Sequence, residues 1–501
     1  MSRINTNVTS ILAQRVLNQQ QMSLQSTMEK LSTGLQINSA ADNPAGLIAS
    51  QSLQSEETSI NAAIGNAQRA DQVSNIAEGG LQEISSMLLN LQNLVSQSAN
   101  TSGLSADEKN ANQLQVDSIL QSIDRIASTT SFQGAKLLNG TFDFNVTSQS
   151  SLVSDFQINA AKLAYNTPRA VQVVVTASAQ HGSMFLSLGG TGLDLASAGA
   201  RFQFELGGAA GSQAFTFASG TSLASIASAV NTFRGVTGVS GVASGNYLHF
   251  DSTTFGSSQF VSFKLDNAGG QTGGLHLASG TNENALKATG GTTAFASMTN
   301  PIRATGQDVG AIINGIAATS DGTTANINTD FLDLSLNLTN SGAQTLQTIN
   351  AFSITGGGAQ FNLGPQVDML NKVSIGIGNV ATRNLGSNSL GYLSSLASGQ
   401  SNNMVSGDMS TAQDIVNAAI SQVSNLRGRI GAFQSNVIQP TINSLGVNLE
   451  NTTAANSAIT DTDFASATSD LTRSQILVQA ATQVLSIANS QPQSVLKLLG
   501  G

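Results

Sequence analysis

The stretch Val416-Asn417-Ala418-Ala419-Ile420-Ser421-Gln422-Val423-Ser424-Asn425-Leu426-Arg427-Gly428-Arg429-Ile430-Gly431-Ala432-Phe433-Gln434-Ser435-Asn436-Val437 repeats its apolar residues in alternating steps of three and four. Val416, Ala419, Val423, Leu426, Ile430, Phe433 and Val437 therefore fall on one side of an α-helix. A stripe sustained over that length predicts a long bundle helix or a coiled-coil seam. Pro440 is expected to end or kink it, because proline lacks the N–H a helix interior needs. Further on, Leu471, Val478 and Leu485 recur every seven residues, with Leu477, Ala481, Val484 and Ala488 beside them.

The opposite end of the chain has the same character. Leu17, Leu24 and Leu31 are spaced by seven, with Met28 and Leu35 interleaved. This pattern stops at Asn38-Ser39-Ala40-Ala41-Asp42-Asn43-Pro44, where the residue before proline is pushed out of the α region. A turn is predicted, with Asp42 or Asn43 capping a new helix and Pro44 in its first turn. From Ile60 the stripe resumes and runs past Gly79-Gly80. Ala70, Ala77, Ile84 and Leu91 keep the seven-residue spacing, flanked by Leu81, Leu88 and Val95. Val116, Leu120 and Ile123 form another stripe after a loop expected around Asn100 to Asn110.

Between about 141 and 403 the helical period gives way to short alternating runs separated by Gly, Ser, Thr and Asn. Val171-Gln172-Val173, Phe202 to Leu206, Phe215-Thr216-Phe217, Tyr247 to Phe250, Phe260 to Phe263 and Leu332 to Leu338 each read as strands. One helix is predicted at Ser222 to Thr232, where Leu223, Ile226 and Val230 sit at helical spacing. The fold class is therefore α+β. N- and C-terminal helices form a coiled-coil or helical-bundle rod, and a β-rich region of one or two domains is inserted between them.

Composition narrows the function. At 501 residues the chain has roughly three domains' worth of length. Only 10% of residues are charged and the net charge is -9, which argues against a nucleic-acid partner, since phosphate binding needs clustered Lys and Arg. The absence of Cys excludes disulfides and thiolate-ligated metals. No apolar run is long enough to span a bilayer, so no membrane association is expected. Met1 to Asn7 lacks a secretory signal's apolar core, and the expectation is a cytoplasmic protein or one exported without signal cleavage. Weakly charged, narrow-striped helices draw most of their stability from burying the stripe. The two terminal stripes are natural partners for each other. Two short stripes so packed still leave apolar surface in water, and an open head-to-tail association of many copies would bury it. A monomeric bundle stands as the other reading of the same periodicity.

At this point the end segments resemble bacterial flagellin. The resemblance lies in Ile4 to Asn7, Glu29 to Leu47, Thr130-Ser131-Phe132-Gln133-Gly134-Ala135-Lys136-Leu137-Leu138-Asn139-Gly140, Asp463-Phe464-Ala465, Leu471 to Leu477 and Ala488 to Leu496. It implies a self-assembling subunit of the extracellular flagellar filament, serving motility and exported unfolded through the flagellar type III apparatus. Residues 1–42 and 457–501 would form an inner terminal coiled coil. Residues 43–168 and 404–456 would form a helical rod with a β-hairpin, and 169–403 a surface-exposed insert of one or two subdomains. Filament-core packing is expected of Leu17, Leu24, Met28, Leu31, Leu35, Leu471, Leu477, Val478, Val484 and Leu485. Rod packing is expected of Ile84, Leu88, Leu91, Val95, Ile123, Val416, Val423, Leu426, Ile430 and Phe433. Implied partners are further copies of the chain, hook-associated and cap proteins, the type III apparatus, and an export chaperone on about Ile459 to Leu499. Flagellins sensed by the vertebrate innate receptor carry Arg and Glu where this chain has Asn90 and Asn93, beside a matching Leu94, so weak receptor activation is expected. Within the middle, Gly220 to Val239 and Gly306 to Gly315 resemble a small repeat of flagellin and hook-associated inserts, implying two strand-and-helix units.

No enzyme chemistry emerges, and no cofactor or metal is expected. His181, His249 and His276 lack ligand spacing, and H-E-x-x-H, G-x-S-x-G, G-x-x-x-x-G-K and EF-hand patterns are missing from the sequence. Gly376-Ile377-Gly378-Asn379-Val380-Ala381 fits G-x-G-x-x-A but lacks an early βαβ setting, so a turn is the expected reading. Arg427 and Arg429 read either as a solvated or salt-bridged face or as an ion pair between subunits with an acid such as Asp124. A hook-filament junction protein, or an insert with an adhesive or glycan-binding role, stands as the alternative function.

Overall fold

The computed structural model describes residues 6–100, 103–164, 167–195, 199–278, 280, 292–388 and 390–499, with side chains to 494. Ile4 and Asn5 of the first motif, and the side chains of Val495 and Leu496 in the last, lie outside the described residues. The helices run in order α1 (Val8–Thr33), α2 (Pro44–Ser98), α3 (Ala106–Thr129), α4 (Leu223–Thr232), α5 (Arg234–Thr237), α6 (Asn340–Gln344), α7 (Met409–Phe433), α8 (Gln439–Thr460) and α9 (Phe464–Leu499). Helices occupy both ends and strands fill the middle. The chain forms two compact units, one of Met1–Ala70, Asn362–Val367 and Asn436–Gly501, the other of Asp71–Phe361 and Asp368–Ser435. Among the described residues no helix is long and apolar enough to cross a membrane.

In the second unit the later part of α2 runs antiparallel to α7. Gln434 Nε2 donates to Asp71 and Asn75, Arg427 to Glu78, and Gln92 Nε2 to Asn417. These polar rungs edge a stripe in which Ala77, Leu81, Ile84, Leu88, Leu91 and Val95 are buried on α2. Val116, Leu120 and Ile123 are buried on α3, and Val416, Ala419, Val423, Leu426, Ile430 and Phe433 on α7. Each buried Leu or Ile contributes about 1.5–3 kcal/mol. Helix α2 does not break at Gly79-Gly80. A Cβ at Gly80 would come within 2.8 Å of the Leu138 and Thr130 side chains, so glycine there allows the chain beyond α3 to approach closely.

Two boundaries differ from the sequence reading. Helix α3 begins at Ala106, inside the loop expected to reach Asn110. Ser105 Oγ accepts from the Glu108 N–H while Glu108 Oε2 accepts from the Ser105 N–H, a capping box that satisfies two otherwise orphaned donors. Pro440, expected to end or kink the C-terminal stripe, falls in the first turn of α8, after α7 has ended at Phe433. The irregularity comes earlier, as a π-helical turn at Gln434–Ile438. Its extra residue advances the stripe by one, so that Ile438 is buried and Val437 only half-buried.

The predicted runs all form strands, and these build two antiparallel sandwiches nested one within the other. In the first, one sheet orders Ile316–Ala317, Gly310–Ile313, Arg169–Ala177, Thr348–Gly357 and Phe144–Thr147. Its partner orders Thr319–Asp321, Thr324–Asn328, Leu332–Leu338 and Val153–Ala161. Val173, Ile313, Ile354, Leu334 and Leu336 meet in its core. Strands begin with the small hairpin pairing Ser131–Phe132 with Ala135–Lys136, and the first sandwich starts at Phe144, close to the change of pattern expected at about 141.

The second sandwich is inserted between Ala179 and Val309, its entry and exit joined where the Gln180 and Gln307 backbones exchange N–H···O bonds of 2.9 Å. One of its sheets orders Thr292–Ala294, Gly274–Leu277, Ser183–Ser187, Tyr247–Ser252 and Val239–Ser244. The other orders Ile302–Thr305, Phe260–Asn267, Arg201–Gly208 and Ser212–Ala218. Phe202, Phe204, Phe250, Phe263, Ile226 and Val230 fill this separate core. Only the first repeat-like stretch contains helices, α4 and the short α5. The second, Gly306 to Gly315, leads into a hairpin turning on Asn314 and Gly315, both with positive φ, and the next helix, α6, comes only after three strands beyond that hairpin.

Candidate functional site

Helices α1 and α9 of the first unit pair antiparallel. Asn7 Nδ2 donates to the Ala488 carbonyl at 2.8 Å and Ser10 Oγ to Asn489 Oδ1 at 2.6 Å. At the other end Leu35 bridges Asp461, with the Gln36 N–H on the Thr460 carbonyl at 2.7 Å and the Thr462 N–H on that of Gly34 at 2.9 Å. Besides Lys30 and Pro492, the residues turned from solvent are Ser10, Ala13, Leu17, Gln20, Leu24, Thr27 and Leu31 on α1, and Ala467, Leu471, Ser474, Val478, Ala481, Leu485 and Ala488 on α9. Both rows keep strict steps of three and four. Small side chains supply their most buried positions, which lets the backbones approach.

One seam does not use all the apolar surface. Met28, Leu35, Leu477 and Val484, expected to pack in the filament core, are exposed in the single chain: Leu477 and Val484 lie beside the α9 row of small residues, Met28 lies off the α1 row, and Leu35 follows α1 in the bridge to Asp461. Ile11, Leu12, Val16, Ile476 and Ile487 are exposed with them. Leu12, Ala13, Val16, Leu477, Val484 and Ile487 line a groove of about 500 Å³. Val484 is 56% and Ile487 65% exposed. A contiguous apolar patch of this kind exposed to water marks an interaction surface.

The turn leading into α2 is set by side chains. Asp42 Oδ2 accepts from the N–H groups of Asn38 and Ser39 at 3.0 and 2.7 Å, and Asn43 Oδ1 caps α2 through the Gly46 N–H at 2.9 Å. Pro44 is the first residue of α2. A Cβ on Gly46 would meet the ends of the Ile37 and Asn43 side chains at 2.6 Å, so any larger residue there would displace the Asn43 cap or Ile37. The Ser39 and then the Asn38 N–H bonds hold the Asp42 carboxyl below its ordinary 3.8. A depressed carboxyl contributes stability above the ordinary aspartate range that is lost as pH falls through the folded value. Titration followed at the Ser39 amide should therefore show a midpoint below 3.8, which Asp42→Asn abolishes; a midpoint at or above it contradicts the bonding.

In the second unit Asn90 and Asn93 are exposed while Leu94 is buried. Arg427 pairs with Glu78 within the chain at 2.7 Å, and Asp124 instead accepts from Thr382. Arg429 is half-buried, donating to Asn159 and the Gly376 carbonyl, and desolvation draws its pKa down. The stretch Gly376 to Ala381 is irregular backbone that opens no helix, which leaves nothing to cradle a pyrophosphate. No group of three His, Cys, Asp or Glu among the described residues could hold a metal.

Comparison with known proteins meets this geometry at both ends. Residues 4–143 match the bacterial flagellin N-terminal helical region and residues 413–499 the bacterial flagellin C-terminal helical region. The B-type flagellin of Pseudomonas aeruginosa is 30% identical, the alignment covering 99% of each chain. The chain belongs to the bacterial flagellin family. Flagellin D of Vibrio anguillarum is 28% identical, again over 99% of both chains. The structure of FliC from Burkholderia pseudomallei matches 73% of this chain and 98% of that one at 14% identity, with a TM-score of only 0.23. As a flagellin, the chain is a subunit of the flagellar filament with a role in motility, and its family is a structural one.

The seam residues Ser10, Ala13, Ala467 and Ser474, and the exposed Ile11, Leu12, Val16, Ile476 and Ile487, escaped the sequence reading. The seven-residue row Ala467, Ser474, Ala481 and Ala488 was the available signal, obscured because Ala and Ser stand out weakly against a background rich in both.

Proposed function

We propose that the α1–α9 pair is the polymerising element of this flagellin, and that neighbouring copies cover the apolar face each copy leaves wet. The groove beside Val484 and Ile487 supports the reading, since one seam satisfies only half of the apolar residues on these helices. In this scheme Leu17, Leu24, Leu31, Leu471, Val478 and Leu485 hold each copy's own pair together, while Met28, Leu35, Leu477 and Val484 face other copies. Residues 1–42 and 457–501 form the inner layer, 43–168 and 404–456 the surrounding helices, and 169–403 the solvent-facing insert of an extracellular filament. Rod-packing residues such as Ile84, Leu91 and Val423 keep the surrounding layer rigid.

Hook-associated and cap proteins meet the ends of such a polymer. The type III apparatus exports it, and a chaperone on Ile459 to Leu499 shields the apolar face beforehand. Depolymerised protein, cooled and seeded, should grow long tubes under the electron microscope; short caps that never elongate would favour the junction-protein reading. With Asn at 90 and 93 the chain should activate innate-receptor reporter cells weakly, and a response matching a flagellin with Arg and Glu there would refute this.

A further inference from the structure

We infer that the outward face of the sheet centred on Ser183–Ser187 binds a neutral saccharide. Strand register sets His249 and His276 on either side of Phe185 in one cross-strand row, with Thr292 next to His276. Two residues along, Tyr247 and Asp251 share that face, while the alternate positions Met184, Leu186, Leu248 and Phe250 point into the core. The rings touch: Phe185 and His249 lie parallel with centroids 4.1 Å apart, and Tyr247 stands edge-on to Phe185 at 6.3 Å and to His276 at 5.7 Å. These four rings are half-buried on the side of the sheet opposite the core of Phe202, Phe204, Phe250 and Phe263.

Hydrogen-bonding groups border the rings. Asp251 accepts from Ser183 and lies 2.9 Å from His249 Nε2, and Thr292 Oγ1 is 2.9 Å from His276 Nδ1. Apolar ring surface beside a carboxylate, imidazoles and a hydroxyl suits a pyranose, which offers C–H faces to rings and hydroxyls to polar groups. Charge selects the neutral class. None of the five strands contains Lys or Arg, Asp251 is their only formal charge, and the whole chain carries -9, so acidic glycans are repelled.

The chain's three histidines make the test internally controlled. His181 lies off this face, stacked on Phe255. Full-length protein labelled with ¹³C-histidine is titrated with lactose, maltotriose, chitotriose and sialyllactose. At least one neutral sugar should shift the His249 and His276 signals saturably and leave His181 still, and Tyr247→Ala should weaken that binding about tenfold with the fold intact by circular dichroism. If Tyr247→Ala loses structure, His276→Gln gives the same reading. No shift with any sugar, equal shifts at His181, preference for sialyllactose, or unchanged binding in both variants overturns the inference.

Discussion

Replacing Val484 with Asp should raise the critical concentration for polymerisation about a hundredfold or more, while the monomer keeps its helical circular dichroism and both sandwich transitions. Val484 is mostly exposed in one copy and lines the groove with Leu477 and Ile487, so a carboxylate there costs the free chain little. Covered by a neighbour, the same charge is buried without a partner at several kcal/mol, and each 1.4 kcal/mol is a factor of ten. Leu485→Asp separates the two apolar rows. It enters the half-buried α1–α9 seam and should loosen the monomer's terminal pair as well as block growth. Sedimentation of seeded mixtures reads the first effect, and proteolysis of the termini in dilute monomer reads the second. Normal filaments from Val484→Asp would remove the groove from the assembly surface.

The second large effect concerns the nested architecture. Phe204 is fully buried, with ring centroids of Phe263 at 4.9 Å, Phe215 at 5.5 Å and Phe202 at 5.6 Å. Phe204→Ala leaves a cavity costing about 3–5 kcal/mol, a large part of a domain's net stability of about 5–15 kcal/mol. Because this core is separate from the one around Leu334 and Leu336, and the described contacts between the two gather at the Gln180–Gln307 neck and at Phe255 and Ser257 beside it, the loss should stay local. Calorimetry should show one transition falling by roughly 10 °C or more, the others staying put, and filaments still forming in the cold. A common shift of all transitions would mean that the two sandwiches unfold as one.

How much of this was legible depends on which physical signal each element left. The α2 and α7 stripes were readable residue by residue because Ile84, Leu88, Leu426 and Ile430 are bulky, and a 3.6-residue period singles out one face. Leu332 to Leu338 was equally plain, its four leucines alternating with polar residues. Pro440 signalled an irregularity at the end of α7, but not that it would be a π-turn over Gln434–Ile438 with one extra residue. On α9 two apolar rows run side by side, and hydrophobicity favoured Leu477 and Val484. Close approach of two backbones favoured Ala467, Ser474 and Ala481 instead, a choice made by the partner helix and invisible in either sequence segment alone. The nesting was hidden for a related reason: the Gln180–Gln307 pairing is long-range, and alternation reveals strands without saying which ones meet.

Hydrogen exchange on dilute full-length monomer and on polymer from the same preparation reaches the central claim directly. Amides of α1 and α9 should exchange at least tenfold more slowly in the polymer, while those of Leu332–Leu338 exchange alike in both. Equal protection of the terminal pair in the two states would mean that a lone copy already buries what it needs, and assembly through that face would be excluded.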